Sequence, residues 1–412
     1  MSLFFRESIL RSPIFSHTNA TLQGLSTIRA FAAEKFLVED FSKYYDKSTS
    51  ASYMFVLITR AFAFWLDLVC VVYISIITLT FVEMDNSDIP GGNVGLAITQ
   101  VIGLIGMCQW GMRQSAELEN QMVSVERVLE YSQLPSEETN VEKKEPPKDW
   151  PKHGSIVFKD VELKYFEDIE PSLMNLSFSI AACEKIGIVG RTGAGKSSII
   201  QALFRLAPIT GTIEIDNVST IDLQLQHLRN KISIIPQDPI LFSGTLRSNL
   251  DPFEENTDEK IWQVIEEVEL KRALEFYEGG LHCKINDGGS NFSMGQRQLI
   301  CLARAMLRQN KILILDEATA NVDADTDNMI QNTIKTKFND CTVLTIAHRL
   351  NTIIESDRVM VMDAGRLVEF SHPYELLKKT NGHFKKLIDQ TGPSTADMLT
   401  EMAKQNFNKK VQ

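Results

Sequence analysis

Two stretches near the start of the chain stay apolar for longer than one face of an amphipathic helix requires. Residues 61–82, AFAFWLDLVCVVYISIITLTFV, hold one charge, Asp67, and residues 91–112, GGNVGLAITQVIGLIGMCQWGM, hold none. As helices each would extend about 33 Å, enough to cross a hydrocarbon core of about 30 Å. No Lys or Arg lies between them, whereas Arg29, Lys35, Lys43, Lys47 and Arg60 precede the first and Arg113 and Arg127 follow the second. This bias predicts both outer flanks in the cytosol and the short loop outside. Two buried helices of a soluble domain are the alternative. Residues 18–59 read as one long amphipathic helix running into the first span. Met1–Phe5 is apolar but is interrupted by Arg6, Glu7 and Arg11, so no cleavable signal peptide is expected.

Residues 135–153 carry prolines and dense charge and read as a linker. Beyond it the pattern changes. Short apolar, β-rich runs at 156–163, 185–189, 232–235, 311–315, 341–346 and 358–362 alternate with helical runs at 196–206, 258–277, 295–308 and 325–338. That alternation predicts an α/β sheet. The expected division is a partial membrane domain over 1–134, the linker, an α/β domain over 154–392 and a helical tail over 393–412.

Composition narrows the reading. The 412 residues carry 42 Lys and Arg against 53 Asp and Glu, a formal net charge of -11, which disfavours nucleic acid as a partner. Hydrophobic content of 44% and charged content of 23% exclude global disorder. The six cysteines form no C-x-x-C pair, so neither a zinc ribbon nor a dithiol redox motif is available.

The sharpest motif is Gly190-Arg191-Thr192-Gly193-Ala194-Gly195-Lys196-Ser197, a G-x-x-x-x-G-K-[ST] loop. A strand-like run, KIGIV, precedes it and a helix-like run, SSIIQALFRL, follows and includes Ser198, which is the context a phosphate loop needs. Glycines let the backbone wrap phosphates, and successive N–H groups and the helix N-terminus supply positive potential. Lys196 is placed to reach β- and γ-phosphates and Ser197 to ligate Mg²⁺. Some 120 residues on, the apolar run from Lys311 ends in Asp316 and Glu317. In a phosphate-loop protein these read as a Mg²⁺-holding acid and a base for the attacking water.

Between the two motifs lies Ser290-Asn291-Phe292-Ser293-Met294-Gly295-Gln296-Arg297-Gln298, which resembles the L-S-G-G-Q signature of ATP-binding-cassette (ABC) proteins. Other elements follow in the family's order. Gln237 in IIPQDP resembles the Q-loop, Ala320–Asp323 the D-loop, His348 in TIAHR the switch histidine, and Tyr165 in ELKYF the aromatic residue that stacks on adenine. The phrases GIVGRTGAGKSS and ISIIPQDPILFSGTLRSNLDPF, with RSPIFSHTNATLQGLSTIRAF and RQSAELENQMVSVERVLEY upstream, resemble the C subfamily, the multidrug-resistance-associated proteins.

The resemblance implies an α/β P-loop NTPase, an ABC cassette, preceded by an all-α transmembrane segment. It implies ATP and Mg²⁺ as ligands, with Ser197, Gln237 and Asp316 toward the metal. Catalytic roles fall to Glu317, His348 and Gln237, and nucleotide contacts to Tyr165, Gly190–Ser198, Ser293, Met294, Gly295, Gln296 and Asp323. It further implies a multi-pass exporter of organic anions or conjugates in the plasma membrane, with its cassette cytosolic. This chain would be the later part of such a protein, lacking the first cassette and the other spans and not competent alone. The segment Arg11–Gly24 is expected to couple to that first cassette. A soluble ABC ATPase, a sulfonylurea-receptor-like channel regulator and a catalytically idle interaction fragment are the alternatives. The sequence departs from the family core at Met294, where a glycine is usual, and at Phe292, where a leucine is usual.

Overall fold

The structure, a computed structural model, describes residues 3–83, 91–137, 145–147, 149–166, 170–275, 277–318, 322–347 and 350–411. The chain divides into two compact units, Met1–Glu137 and Glu138–Gln412.

The first unit is helical: α1 (Leu3–Gln23), α2 (Leu25–Ala30), α3 (Glu34–Glu83) and α4 (Gly91–Ser132). The continuous helix expected over 18–59 is broken twice, at Gly24 and at a turn over 31–33 where Ala32 takes φ 49°. The Ala33 N–H reaches back to the Ile28 carbonyl at 3.1 Å and closes the end of α2. The chain then reverses, so α1 lies along α3, with His17 set against the rings of Phe41 and Tyr44.

The runs 61–82 and 91–112 fall inside α3 and α4, both long and apolar enough to cross a membrane. At 50 and 42 residues these helices extend about 75 and 63 Å, well beyond a bilayer core. The lone charge of the first run has a partner, since the Gln109 amide of α4 donates to Asp67 of α3.

The second unit contains, among the described residues, β1 (Ile156–Leu163), β2 (Leu173–Ile180), β3 (Lys185–Gly190), β4 (Ile209–Ile215), β5 (Val218–Ser219), β6 (Ile232–Ile235), β7 (Gly244–Thr245), β8 (Lys284–Ile285), β9 (Ile312–Asp316), β10 (Thr342–Ile346), β11 (Arg358–Asp363) and β12 (Arg366–Ser371). One sheet has the order β12-β11-β3-β10-β9-β6. Its strands are parallel except β12, which pairs antiparallel with β11 at one edge. A second, antiparallel sheet has the order β2-β1-β4-β5. Five of the six apolar runs in the expected alternation thus fall in the parallel sheet, whereas the run 156–163 is β1 of the antiparallel sheet, whose other strands are an addition to it.

The parallel strands are buried on both faces, and their side chains alternate between cores. Ile312 and Ile314 of β9 face the antiparallel sheet, where the Phe158 and Phe178 rings stack at 4.4 Å. Leu313 and Leu315 face the other way, against helix Met294–Arg308. Likewise Ile186 and Ile188 of β3 join the first core, and Val189 joins a third core under the C-terminal helices. This period-two alternation with both faces apolar is what a covered parallel sheet requires.

The expected linker ends on the cassette. Trp150 is buried and donates its indole N–H to the Ile215 carbonyl at 2.8 Å. The helical run expected over 258–277 is two pieces, Asp258–Glu267 and Lys271–Leu274, parted where Glu269 takes φ 53°. Helix Pro393–Val411 packs on helices Pro373–Lys378 and His383–Asp389 and buries Leu399 and Ala403.

Candidate functional site

Parallel strands all point their C-terminal ends the same way, and in open α/β sheets ligands bind at that edge. Here β3 runs into Gly190, β6 into Pro236 and Gln237, and β9 into Asp316 and Glu317. Register aligns these exits: Ile346 of β10 stands beside Asp316 of β9 and Ile188 of β3, and Ile235 of β6 beside Leu315. One step beyond the ladder, the Glu317 N–H donates to the Ile346 carbonyl at 2.9 Å, with Glu317 at φ 49°. A left-handed, non-glycine residue is uncommon, and it ends β9 sharply at the acid.

The phosphate loop folds back over this edge. Gly190 must be glycine, because a Cβ there would lie 2.4 Å from the Met362 carbonyl oxygen of the adjacent β11. Gly195, at φ 95°, precedes helix Lys196–Leu203 and leaves that helix's first N–H groups open. Lys196 is buried, and its ammonium donates to the carbonyls of Gly190 at 3.0 Å and Arg191 at 3.2 Å, drawing the loop around its own side chain.

A cleft of about 500 Å³ opens on the loop, with Thr192, Gly193, Lys196, Ser197, Ser198 and Glu317 among its walls. The opposite wall was not foreseen in the sequence. It is made by Ser172 and Met174 at the start of β2 and by Ala364 and Gly365 in the β11–β12 turn. The Gly365 N–H donates to the Ala194 carbonyl at 3.1 Å, and the Met174 N–H to the Gly365 carbonyl at 2.9 Å. The signal for that wall is the Asp363-Ala364-Gly365-Arg366 run, a tight hairpin turn with Ala364 and Gly365 both at positive φ.

The electrostatics concentrate at the same point. Burial pushes the Asp316 carboxyl above the usual carboxylate range, the neighbouring Glu317 charge pushes the same way, and the Lys196 ammonium pulls it back. The groups that stand ready for a cation here are oxygens, the Ser197 hydroxyl in the cleft wall and the Asp316 carboxylate beside Glu317 and Lys196. That set suits a hard, strongly hydrated cation such as Mg²⁺ and not a soft metal.

The other expected site residues fall around this centre. The Tyr165 hydroxyl is 3.1 Å from the Ser198 Oγ and its side chain is part-exposed. Gln237 is exposed and does not line the cleft. Ser293 caps helix Met294–Arg308 by accepting from the Gln296 N–H at 3.2 Å, while the Gln296 side chain accepts from the Ser293 N–H at 2.9 Å. Among the described residues none of Ser293, Met294, Gly295 and Gln296 lines the phosphate cleft. They stand instead near Asp323, the cap of helix Ala324–Lys337: a Cβ on Gly295 would be 3.6 Å from the Asp323 Oδ1. The Asp323 carboxyl is held below its usual range by hydrogen bonds from the Thr326 N–H and hydroxyl. His348, and Ala320 and Asn321 of the expected D-loop, lie outside the described residues.

A phosphate loop, an acid pair at the end of a parallel strand of the same sheet and a capped signature helix define a P-loop cassette, and residues 173–320 match the family model described as ABC transporter. Residues 173–320 are thus an ABC transporter domain, and a helical region precedes it. The similarity runs through nearly the whole length of the chain and lies with the C subfamily. The chain is 54% identical over 407 residues to "Probable multidrug resistance-associated protein lethal(2)03659" of Drosophila melanogaster, covering 97% of this chain and 29% of that protein. It is 50% identical over 404 residues to "ATP-binding cassette sub-family C member 4" of Homo sapiens, covering 98% of this chain and 30% of the relative. With the "ATP-dependent bile acid permease" of Saccharomyces cerevisiae it shares 42% identity over 428 residues, 98% of this chain and 26% of the permease. The chain therefore spans about 30% of the length of the curated relatives it matches.

Proposed function

We propose that this chain is the ATP-binding and ATP-hydrolysing half of an ABC exporter, coupling hydrolysis to export of organic anions or xenobiotic conjugates across the plasma membrane. The observation that carries the reading is Glu317, which lines the same cleft as Lys196 and Ser197. In this reading Gly190–Ser198 hold the phosphates and Tyr165 stacks on adenine. Ser197, Asp316 and Gln237 hold Mg²⁺, which when bound neutralises charge on the transferring phosphoryl group. Glu317 takes the proton of the attacking water, and His348 senses the γ-phosphate. Ser293, Met294, Gly295 and Gln296, with Asp323, complete a second site on the first cassette of the same transporter. The relatives' length and the two long apolar helices support a membrane-embedded setting with that cassette and further spans as partners, the cassettes lying in the cytosol.

The test is Glu317→Gln, assayed in the exporter that contains both cassettes. Glutamine keeps the size and most hydrogen bonds but accepts no proton from water. ATP binding should persist while steady-state turnover falls about 10²–10⁴-fold, the usual loss on removing a general base. Near-normal turnover would remove Glu317 as the base.

A further inference from the structure

Gln298 is a buried amide in the second turn of helix Met294–Arg308, only 1% exposed. Its Nε2 donates to the carbonyl of Pro236 at 2.8 Å and to that of Gln237 at 3.3 Å. Two carbonyl acceptors fix which end of the amide is nitrogen. Its Oε1 has no protein partner among the described residues, so the two loop carbonyls are the protein bonds of this side chain. A buried amide is retained at a desolvation penalty unless hydrogen-bonded, so these bonds are where its contribution lies.

The same helix fastens the far end of that loop. Two turns on, Arg304 donates to the Asn249 carbonyl at 2.6 Å, to the Asn249 Oδ1 at 2.8 Å and to the Ile240 carbonyl at 3.1 Å. Asn249 in turn binds the backbone of Phe242 at both its N–H and its carbonyl. Segment 236–249 is thus tied to one helix at each end, and Gln298 is the tie next to Gln237. Met294 begins this helix four residues before Gln298, about 6 Å along the axis.

We infer that Gln298 is a positioning residue that fixes the backbone from which Gln237 reaches the Mg²⁺ of its own site, and so links that site to the signature turn facing the other. The inference rests on the ATP-binding reading above. Positioning partners of metal ligands act through the ligand, so losing one should lower the metal's contribution and leave metal-free nucleotide contacts alone.

The experiment measures ATP affinity of the full chain, in lipid nanodiscs, with Mg²⁺ and with EDTA. The variants are Gln298→Leu, Gln298→Met, Gln237→Ala and the double change Gln237→Ala with Gln298→Leu. Gln298→Leu should cut the Mg²⁺-dependent gain about tenfold. ATP affinity in EDTA should stay within about twofold of the unmodified chain, because Lys196 and the loop are untouched. The double variant should be no worse than Gln237→Ala, since both remove the same contact. Gln298→Met, which fills the site with a flexible apolar chain, serves if leucine prevents folding, with thermal melting as the check. A parallel fall in EDTA, an additive double variant, or an undiminished Mg²⁺ gain would each overturn the inference. Absence of any ATP binding by the unmodified chain would overturn the ATP reading, and this inference with it.

Discussion

Replacing Lys196 by alanine should separate nucleotides by the number of their phosphates. The Lys196 ammonium has three donors, and the carbonyls of Gly190 and Arg191 occupy two. The third donor and the whole positive charge remain for a ligand in the cleft that Lys196 helps to line. A hydrogen bond to a charged partner contributes about 1.5–3 kcal/mol. At about 1.4 kcal/mol per tenfold, ATP affinity should drop roughly 10- to 150-fold. AMP carries neither the β- nor the γ-phosphate, so its weaker affinity should change little. Lys196→Met keeps the buried stem without the charge and should lose as much ATP affinity as alanine, which separates charge from loop packing. Calorimetric titration of the full chain with ATP, ADP and AMP reads all three. An equal loss for AMP and ATP would mean that the loop has collapsed and not that a phosphate contact is gone. Unchanged ATP affinity would refute the role of Lys196 outright.

Two further changes probe what holds the site in place. At Gly187, in the middle of β3, an added Cβ would lie 1.9 Å from the Cγ2 of fully buried Ile353, so Gly187→Ala should destabilise the chain by about 2–3 kcal/mol, read as a lower denaturation midpoint. Burial of Asp216 acts to raise its carboxyl, but the N–H groups of His153, Gly154 and Ser155 and the Ser155 hydroxyl bind it and hold it below the usual carboxylate range. A lowered folded-state value means stability present above the unfolded value and lost as pH falls through the folded one. Asp216→Asn should therefore lose about 1.5 kcal/mol at pH 7, the low end for a part-exposed charged partner, and the gap to the unmodified chain should close in acid, as pH-dependent denaturation would record.

Local chemistry was the legible part of this chain. β1 and β6 occupy the residues their apolar runs predict, and β3, β9, β10 and β11 differ by a residue or so at an end. β3, β9, β10 and β11 are apolar on both faces, and their burial is written in consecutive residues. The phosphate loop and the acid pair were legible for the same reason. β2, β4 and β12 carry no such unbroken apolar run. In β2, buried and exposed positions mix as in a strand with one covered face, and its partner β1 precedes it in a sheet outside the α/β alternation. The breaks at Ala32 and Glu269 turn on single residues at positive φ that are not glycine, which no composition rule marks. In the sequence Gln298 is only a letter of the signature run, because its partners lie 61 and 62 residues away.

The structure separates the two departures from the family's signature core, which the sequence leaves on an equal footing. Phe292 is 4% exposed, and its ring stacks on Tyr277 with centroids 4.6 Å apart. The Tyr277 hydroxyl donates to the Asn291 carbonyl at 2.6 Å, so the aromatic pair anchors the turn that leads into the helix. An aromatic residue in place of leucine here changes how the turn is packed beneath, and presents no new group on the outside. Met294 is different. It is the first residue of the helix, directly after the Ser293 cap, and is only part-buried. A helix N-terminus binds phosphate through open N–H groups at close approach. A side chain at that first position stands where glycine would leave room, whereas Gly295 beside it keeps ordinary clearance from Asp323 and Thr326. The capping box between Ser293 and Gln296 is intact, so the helix start itself is well formed. The fold of the signature turn is thus intact, and Met294, at the first helical position, is the departure that bears on the second composite site proposed above.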